Sequence, residues 1–466
     1  MKPGKSSILI GLQYGDEGKV KVLDKLLDNT DITARFNGGA NAGHTLKVGD
    51  KTIINHQIPS GIFYDDMLLY IGSGCVVNPK IANGEISHIK DNGINIEKRL
   101  FVAANTPLVQ PHHLILDGIH GKDIGTTNNG IGPAYADIAM RAHGNNLRNL
   151  QFGTYINNPK KGVEIVRNNL AEIIATYHLK DLNVRGLARR FDEEVNKLGS
   201  YCCKDPLFLE KLVQNGKNVF FEGANSVMLD AVCGIVPYVT SSRTLAGSAY
   251  VGGDLSLRYH DKTIGVAKAI MSRVGNGPFI SEFGGRASEA YCAEGEGYAH
   301  KKEWESMMYN PDELLRSNDP MNIGIALRMI GGEYGATTKR PRRIGMLDLV
   351  MLKQNCMLNA VDELYINKID CLSDFSKTTL EGIPLVTAYE LDGKTIDYIS
   401  TSIEECRRAK PVIEYMPAFS DDISGIREYN NLPPAAQSLI KKIEENIETK
   451  IAGIGVGPER EQFVKI

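Results

Sequence analysis

Apolar residues along this chain of 466 residues follow two rhythms. Short, nearly continuous runs at Ile8 to Leu12, Met67 to Ile71, Asn218 to Phe221, Glu363 to Asn367 and Ile451 to Val456 have the length of buried strands. Between several of them, apolar residues return at helical spacing, as at Val163, Val166, Leu170, Ile173, Ile174 and Tyr177, or at Leu439, Ile440, Ile443 and Ile447. Strands alternating with helices predict an α/β fold, with a largely parallel central sheet covered by helices on both faces. Pro433 and Pro434 stand where the last helix should begin, a position at which missing amide donors do little harm. No internal repeat, low-complexity tract or linker interrupts the pattern, so one elaborate domain or two closely joined ones is expected. The stretch from about 284 to 332 is polar, dotted with glycine and holds the sole tryptophan, Trp304, and it reads as an elaboration on that core.

Composition narrows the picture. A hydrophobic content of 42% is enough for a large core, and a formal charge of −3 predicts no general attraction to nucleic acid or to an acidic membrane. Basic chemistry must therefore be local. The eight cysteines lack C-x-x-C spacing, and the close pair Cys202 and Cys203 is adjacent, which suits reduced thiols and a cytoplasmic location. The N-terminal apolar run is too short for a signal peptide, and no segment approaches the ~20 apolar residues that span a bilayer.

The first candidate site is "ILIGLQYGDEGKVKVLDKLL". A strand, a glycine turn and a Gly18-Lys19 pair opening a helix are the parts of a phosphate cradle. Gln13 nevertheless replaces the first glycine of the usual pattern, and Val20 replaces its Mg²⁺-binding hydroxyl. Two acids, Asp16 and Glu17, sit in the loop instead. A carboxylate ~4 Å from a phosphate charge costs roughly 4 kcal/mol per charge pair at an effective dielectric of 20. Either Asp16 binds a Mg²⁺ that bridges the phosphates, or it takes a proton from the attacking group. A solvated acidic turn at a helix N-terminus is the third possibility.

Four further segments carry candidate chemistry. In "ARFNGGANAGHTL" the glycines allow close backbone approach to a ligand, while Asn41 and His44 offer side chains, His44 as a donor to developing oxyanion charge. "GTTNNGIGPAYADIAMR" fits a nucleotide loop or an ordinary turn, with Arg141 following. In "EYGATTKRPRRIG", Arg340, Arg342 and Arg343 supply planar forks for a small anionic ligand. "YINKIDCL" ends a strand with a literal N-K-x-D, in which a carboxylate can accept both N–H groups of guanine and a lysine stem can pack on the ring. Together with the phosphate loop, it points to GTP.

These segments, in this order, resemble the adenylosuccinate synthetase family, through "QYGDEGKVKVLD", "ARFNGGANAGHTL", "PSGI", "GTTNNGIGPAYAD", "FEGANSVMLD", "PYVTSS", "SRVGNGPF", "GATTKRPRRIGMLD", "NKID", "YMPAF" and "GVGPER". The resemblance implies a P-loop NTPase-like α/β fold with inserted subdomains, residues 1–466 forming a single domain with an extra insertion at about 284–332. It implies a GTP-dependent ligase that joins L-aspartate to IMP through 6-phosphoryl-IMP, giving adenylosuccinate, GDP and phosphate. Asp16 would remove the IMP N1 proton and His44 would stabilise the 6-oxygen and the moving phosphoryl group. Mg²⁺ would be held by Asp16 and the Gly43 carbonyl. Gly18 and Lys19 would hold phosphates, and Lys368, Asp370 and Gly457 guanine. Asn41, Thr127, Asn225, Thr240 and Val274 would line the IMP pocket, Arg141 would reach the IMP phosphate across a homodimer interface, and Thr338, Arg340 and Arg342 would grip aspartate. The implied partners are small molecules, with no nucleic acid and no membrane.

The chain departs from the family pattern at several points. Tyr14 replaces a tryptophan, Val20 a glycine, Asn129 an arginine associated with the aspartate subsite, Asn225-Ser226 a Gln-Gly pair, and Gly455 a serine near guanine. The Asn225-Ser226 change leaves room beside the base, which sustains an alternative: a phage-type synthetase using dGMP or GMP to make 2-aminoadenylosuccinate nucleotides. A non-catalytic purine-nucleotide-binding paralogue is the alternative of a different class.

Overall fold

Among the strands β1 (Ser6–Gly11), β2 (Ile32–Arg35), β3 (Leu68–Ile71), β4 (Leu100–Ala103), β5 (Cys202–Cys203), β6 (Val219–Ser226), β7 (His260–Lys268), β8 (Glu363–Asn367), β9 (Ile451–Gly455) and β10 (Phe463–Lys465), the five predicted apolar runs form β1, β3, β6, β8 and β9. The computed structural model describes residues 2–41, 43–48, 51–121, 126–143, 146–294, 300–335 and 339–466. The chain divides into two compact units, each built from three chain segments. The first comprises Met1–Leu9, Leu23–Ala224 and Thr240–Asp261, and the second Ile10–Val22, Asn225–Val239 and Lys262–Ile466.

In the first unit, β2 pairs in parallel with β6 and β3, β3 with β4, and β4 with β5. In the second, β7, β8 and β9 are parallel and β10 closes the edge antiparallel. This is the α/β, largely parallel architecture that the alternating pattern predicts. Strand boundaries agree closely at β8 and β9, whereas β6 runs five residues past the predicted Phe221. Its continuation, Glu222 to Ser226, is too polar to read as a strand, yet Glu222 is buried because Ser60 donates to it from both its backbone N–H, at 2.9 Å, and its hydroxyl, at 2.5 Å. Strand β2, "ITAR", escaped the apolar pattern for the same reason: all four residues are buried, Arg35 included.

Helix Pro159–Tyr177 contains the predicted stripe, with Asn169 buried among the apolar residues through bonds to Gln110 Oε1 (3.0 Å) and the Leu147 carbonyl (3.2 Å). The last helix spans Pro434–Ile447, with Pro433 as its N-cap and Pro434 in its first turn. All eight cysteines are unpaired. No described helix is long and apolar enough to cross a membrane.

Within the second unit, the polar stretch forms helices Gly285–Glu294, Lys302–Met308, Pro311–Leu315 and Pro320–Gly331. A buried ion pair fastens it. Arg328 meets Glu305 in a bidentate pair at 2.5 and 3.0 Å, and Tyr291 (2.9 Å) and Tyr334 (2.6 Å) donate to the same carboxylate. The remaining guanidinium nitrogen of Arg328 donates to the Arg342 carbonyl at 3.0 Å. The stretch is thereby tied to both strands of the stem that carries "EYGATTKRPRR". Removing one partner of such a buried pair strands the other charge. Glu305→Ala should lower unfolding free energy by about 3–5 kcal/mol, measured by urea denaturation; a loss below about 1 kcal/mol would contradict this anchor.

Candidate functional site

The two loop acids point in different directions and do different work. Glu17 is turned inward, with no exposed side-chain surface. Its carboxylate accepts the backbone N–H of Gln13 (3.2 Å) and Gly15 (2.8 Å), the Ser226 hydroxyl (2.6 and 2.7 Å) and the Lys19 ammonium (3.1 Å). Burial opposes its ionisation, but Lys19, Ser226 and Lys268 together hold its pKa below the usual carboxylate value. Lys19 also donates to the Asn225 carbonyl at 2.9 Å. Gln13 takes the place of a glycine because its amide clasps both backbone groups of Lys268, at 3.0 and 3.1 Å.

Asp16 faces outward, its side chain 43% exposed, in the left-handed region with φ +58°. Its carboxylate meets Arg342 Nη2 at 2.8 Å, and its carbonyl accepts Lys268 Nζ at 3.2 Å. A non-glycine residue in that conformation is held there by its surroundings. Behind it lies a second fully buried acid, Glu333. Lys268 (3.0 Å), Ser272 (2.8 Å) and Arg342 Nη1 (2.6 Å) bond one of its oxygens, and Lys368 Nζ lies 2.6 Å from the other. Burial opposes the charge, yet Lys268, Lys368 and Arg342 push its pKa well down. Neither Glu333 nor Lys268 was singled out from sequence. A lone lysine inside the apolar run "TIGVAKAIM", and a lone acid heading a basic loop, are the signals that a buried charge pair leaves.

The N-K-x-D segment lies beside the phosphate loop. Asn367 Nδ2 donates to the carbonyls of Glu17 (2.7 Å) and Gly18 (3.3 Å), so this asparagine is spent on the loop itself. Gly18 has φ +80°, and a Cβ there would stand 2.8 Å from the same amide. Lys368 has φ +64° and also bonds the Gly331 carbonyl. Asp370 Oδ1 is buried without a hydrogen-bond partner among the described residues, and burial raises that carboxyl's pKa. Lys21 donates to the Gly457 carbonyl. The glycine at 455 follows from packing: a Cβ would meet Asn367 Oδ1 at 2.4 Å.

The basic loop divides. Its stem is closed by Gly335 N–H to the Arg340 carbonyl (2.9 Å) and Arg342 N–H to the Glu333 carbonyl (3.0 Å). Arg340 is half-buried, and Thr338 lies outside the described residues. Arg343, expected as a fork for an anionic ligand, is instead buried and spent on Glu282, at 2.5 and 2.9 Å, because β-like alternation turns it to the opposite side from Arg342. Tyr14, the tryptophan replacement, is buried beneath Arg273, whose guanidinium stands 4.5 Å from the ring centroid, and burial raises the phenol to about 12. Val274, next in the chain, is 55% exposed.

In the first unit, the second glycine cluster is braced from three directions. Gly38 N–H donates to the Tyr135 hydroxyl at 2.9 Å, and Asn129 Nδ2 donates to the Ala40 carbonyl at 3.0 Å. Asn129 therefore holds loop to loop where the family has an arginine. Asn41 Nδ2 reaches Thr240 Oγ1 at 3.1 Å, which brings together two of the expected IMP residues. Gly43 and Thr127 are exposed. His44 opens a hairpin, Val48 pairing with Lys51, but its side chain lies outside the described part. Arg141 is exposed at the end of helix Ile131–Met140, with φ +62°.

That helix is fixed by Asp137, whose carboxylate takes His112 (2.8 Å), His113 (2.9 Å) and Arg148 (3.1 Å). The two imidazoles and the acid are close enough to hold a metal ion. However, His113 Nδ1 accepts the Gln110 N–H at 3.0 Å, which leaves the proton on Nε2, facing Asp137. Burial keeps His113 neutral by pushing it down to about 3. With Arg148 on the same carboxylate, the cluster is a structural brace.

A glycine turn at the end of a strand, a lysine at the start of the following helix, and an N-K-x-D strand end bonded to that turn define a nucleotide-using α/β enzyme of the P-loop NTPase-like class. The chain belongs to the adenylosuccinate synthetase family, whose sequence profile matches residues 8–464. It is 39% identical over 462 residues to adenylosuccinate synthetase 2 of Cupriavidus pinatubonensis, covering 99% of this chain and 97% of that one. It is 36% identical over 465 residues to the adenylosuccinate synthetase of Clostridium novyi, covering 98% of each. The fully ligated adenylosuccinate synthetase of Plasmodium falciparum superposes with a TM-score of 0.84 at 31% identity, over 99% of this chain and 100% of that one. The succinoaminodeoxyadenylate synthetase of cyanophage S-2L, bound to dGMP and dATP, shares the fold, with a TM-score of 0.56 at 16% identity over 100% and 96% of the chains.

Because Glu17 titrates below 4.5 in the folded protein, the stability it contributes is complete above the unfolded value and is lost as pH falls through the folded one. Glu17→Gln should cost about 2–3 kcal/mol at pH 7, with the gap to wild type narrowing below about pH 4.5. Denaturant titrations across about pH 3–7 check this; a gap that stays constant with pH would contradict it.

Proposed function

We propose that Asp16 and His44 carry this family's reaction in this chain: GTP-dependent ligation of L-aspartate to IMP. The supporting observation is the division of labour in the first loop, where a buried Glu17 satisfies the loop's donors and leaves Asp16 outward beside Arg342. Asp16 takes the N1 proton of IMP, and the 6-oxygen attacks the γ-phosphorus of GTP as the bond to the β,γ-bridging oxygen breaks. His44 donates to the 6-oxygen and the moving phosphoryl group. The aspartate amine then attacks C6, phosphate leaves with the 6-oxygen, and adenylosuccinate forms.

Gly18 and Lys19 hold phosphates. Lys368, Asp370 and Gly457 take guanine, whose N1–H and N2–H match the buried Asp370 oxygen that lacks a partner among the described residues. Asn41, Thr127, Asn225, Thr240 and Val274 line the IMP pocket. Thr338, Arg340 and Arg342 hold the aspartate carboxylates, and Arg141 serves the IMP phosphate across a homodimer interface. A carboxylate at Asp16 and a carbonyl at Gly43 are hard oxygen donors suited to Mg²⁺, which when bound neutralises phosphate charge. The unpaired cysteines support a cytoplasmic location.

Ser226 favours IMP over dGMP. Its hydroxyl is spent on Glu17 and fully buried, so the Asn225-Ser226 departure supports the loop rather than widening a base pocket. Purified protein supplied with GTP and aspartate should turn over IMP but not GMP or dGMP; turnover of dGMP without IMP would overturn the substrate assignment. Asp16→Asn should lower kcat by about 10²–10⁴ while GTP binding, followed by calorimetry, is retained. An unchanged rate would remove Asp16 as the base. Asp370→Asn should weaken GTP by about tenfold and relax preference against other nucleotides, and unaltered selectivity would place base recognition elsewhere.

A further inference from the structure

Glu333 lies where three functional segments meet, although it is closed to solvent. Each cation on its carboxylate leads to a different place. Lys268 continues to the Asp16 carbonyl at 3.2 Å, and Arg342 continues to the Asp16 carboxylate at 2.8 Å. Lys368 belongs to the N-K-x-D strand end and sits 2.6 Å from the carboxylate oxygen that Lys268 and Arg342 do not use. Asp16 is thus gripped at both its carbonyl and its side chain by groups that share one acceptor, in a backbone conformation with φ +58° that needs such support.

We infer that Glu333 is a positioning residue for phosphoryl transfer: it aims Asp16 through Lys268 and Arg342 and, through Lys368, makes that aim respond to guanine in the nucleotide site. The physical basis is charge sharing. One buried carboxylate balances three cations, so any change in how Lys368 bonds when its stem packs on a purine ring alters the field and geometry felt by the other two. Both side chains start from fixed backbones, Lys268 being held by Gln13 at both backbone groups and Arg342 by its N–H on the Glu333 carbonyl, so the change falls on the charged ends that reach Asp16. The inference rests on the assignments of Asp16 as base and Lys368 as guanine contact made above.

A double-substitution cycle tests it by separating kcat from KM. In the wild-type background, Lys368→Met should raise KM for GTP and also lower kcat at saturating GTP by about tenfold or more. Glu333→Gln should itself lower kcat by about tenfold. In the Glu333→Gln background, adding Lys368→Met should still raise KM but change kcat by less than about twofold. A Glu333→Gln enzyme within about twofold of wild type in kcat, or an undiminished kcat effect of Lys368→Met in that background, would overturn the inference. If circular dichroism shows that Glu333→Gln does not fold, Lys368→Met alone decides: a loss confined to KM contradicts the coupling, and a drop in kcat supports it. Wild-type turnover in the same assay is the separate control on the functional reading, and its absence would remove the base that Glu333 is inferred to aim.

Discussion

The buried carboxylate of Glu17 is the constraint on which the first loop depends. A phosphate cradle needs backbone N–H groups turned toward its ligand, and a turn of that shape has donors on its inner side that must also be satisfied. Glu17 satisfies them from within the loop, accepting from Gln13, Gly15, Ser226 and Lys19. Its own desolvation is offset by that complete set of partners, the condition under which a buried charge is tolerated. The other acid, Asp16, is thereby left facing outward beside Arg342. Two adjacent carboxylates that look alike in sequence have opposite environments, and environment sets their roles.

Two departures from the family pattern are local adjustments to the same constraint. Ser226 supplies Glu17 with a hydroxyl, and Gly455 leaves space for Asn367, which in turn bonds the loop carbonyls. These residues support one another, as the parts of a single well-determined site do. The polar stretch from about 284 to 332 extends that support outward. Its Glu305–Arg328 pair grips Tyr334 and the Arg342 carbonyl, on either side of the stem that carries Glu333.

Much of this was legible in the chain. Alternating strand and helix patterns revealed the α/β class, and β8 and β9 were placed closely because each carries a short apolar run, Leu364 to Ile366 and Ile451 to Ile454, that stops at the N-K-x-D segment or at Gly455. β2 and the end of β6 were hidden because they bury polar residues, Arg35 and Glu222 among them, whose partners at His56 and Ser60 periodicity cannot display. The same limit applies to the site. Asp16, Lys368 and Asp370 announce themselves through motifs, whereas Glu333 and Lys268 act through each other across 65 residues. Arg343 shows the converse, a residue that reads as ligand-seeking by composition and is consumed by Glu282.

In the proposed mechanism, Asp16 activates the purine oxygen for attack on GTP while Glu17 only holds the loop. Positional isotope exchange measures this step directly, using GTP labelled with ¹⁸O at the β,γ-bridge and no aspartate. The label should scramble into the β-nonbridging positions only when IMP is present, and Asp16→Asn should abolish scrambling. Scrambling that proceeds without IMP, or that persists undiminished in Asp16→Asn, would contradict the account.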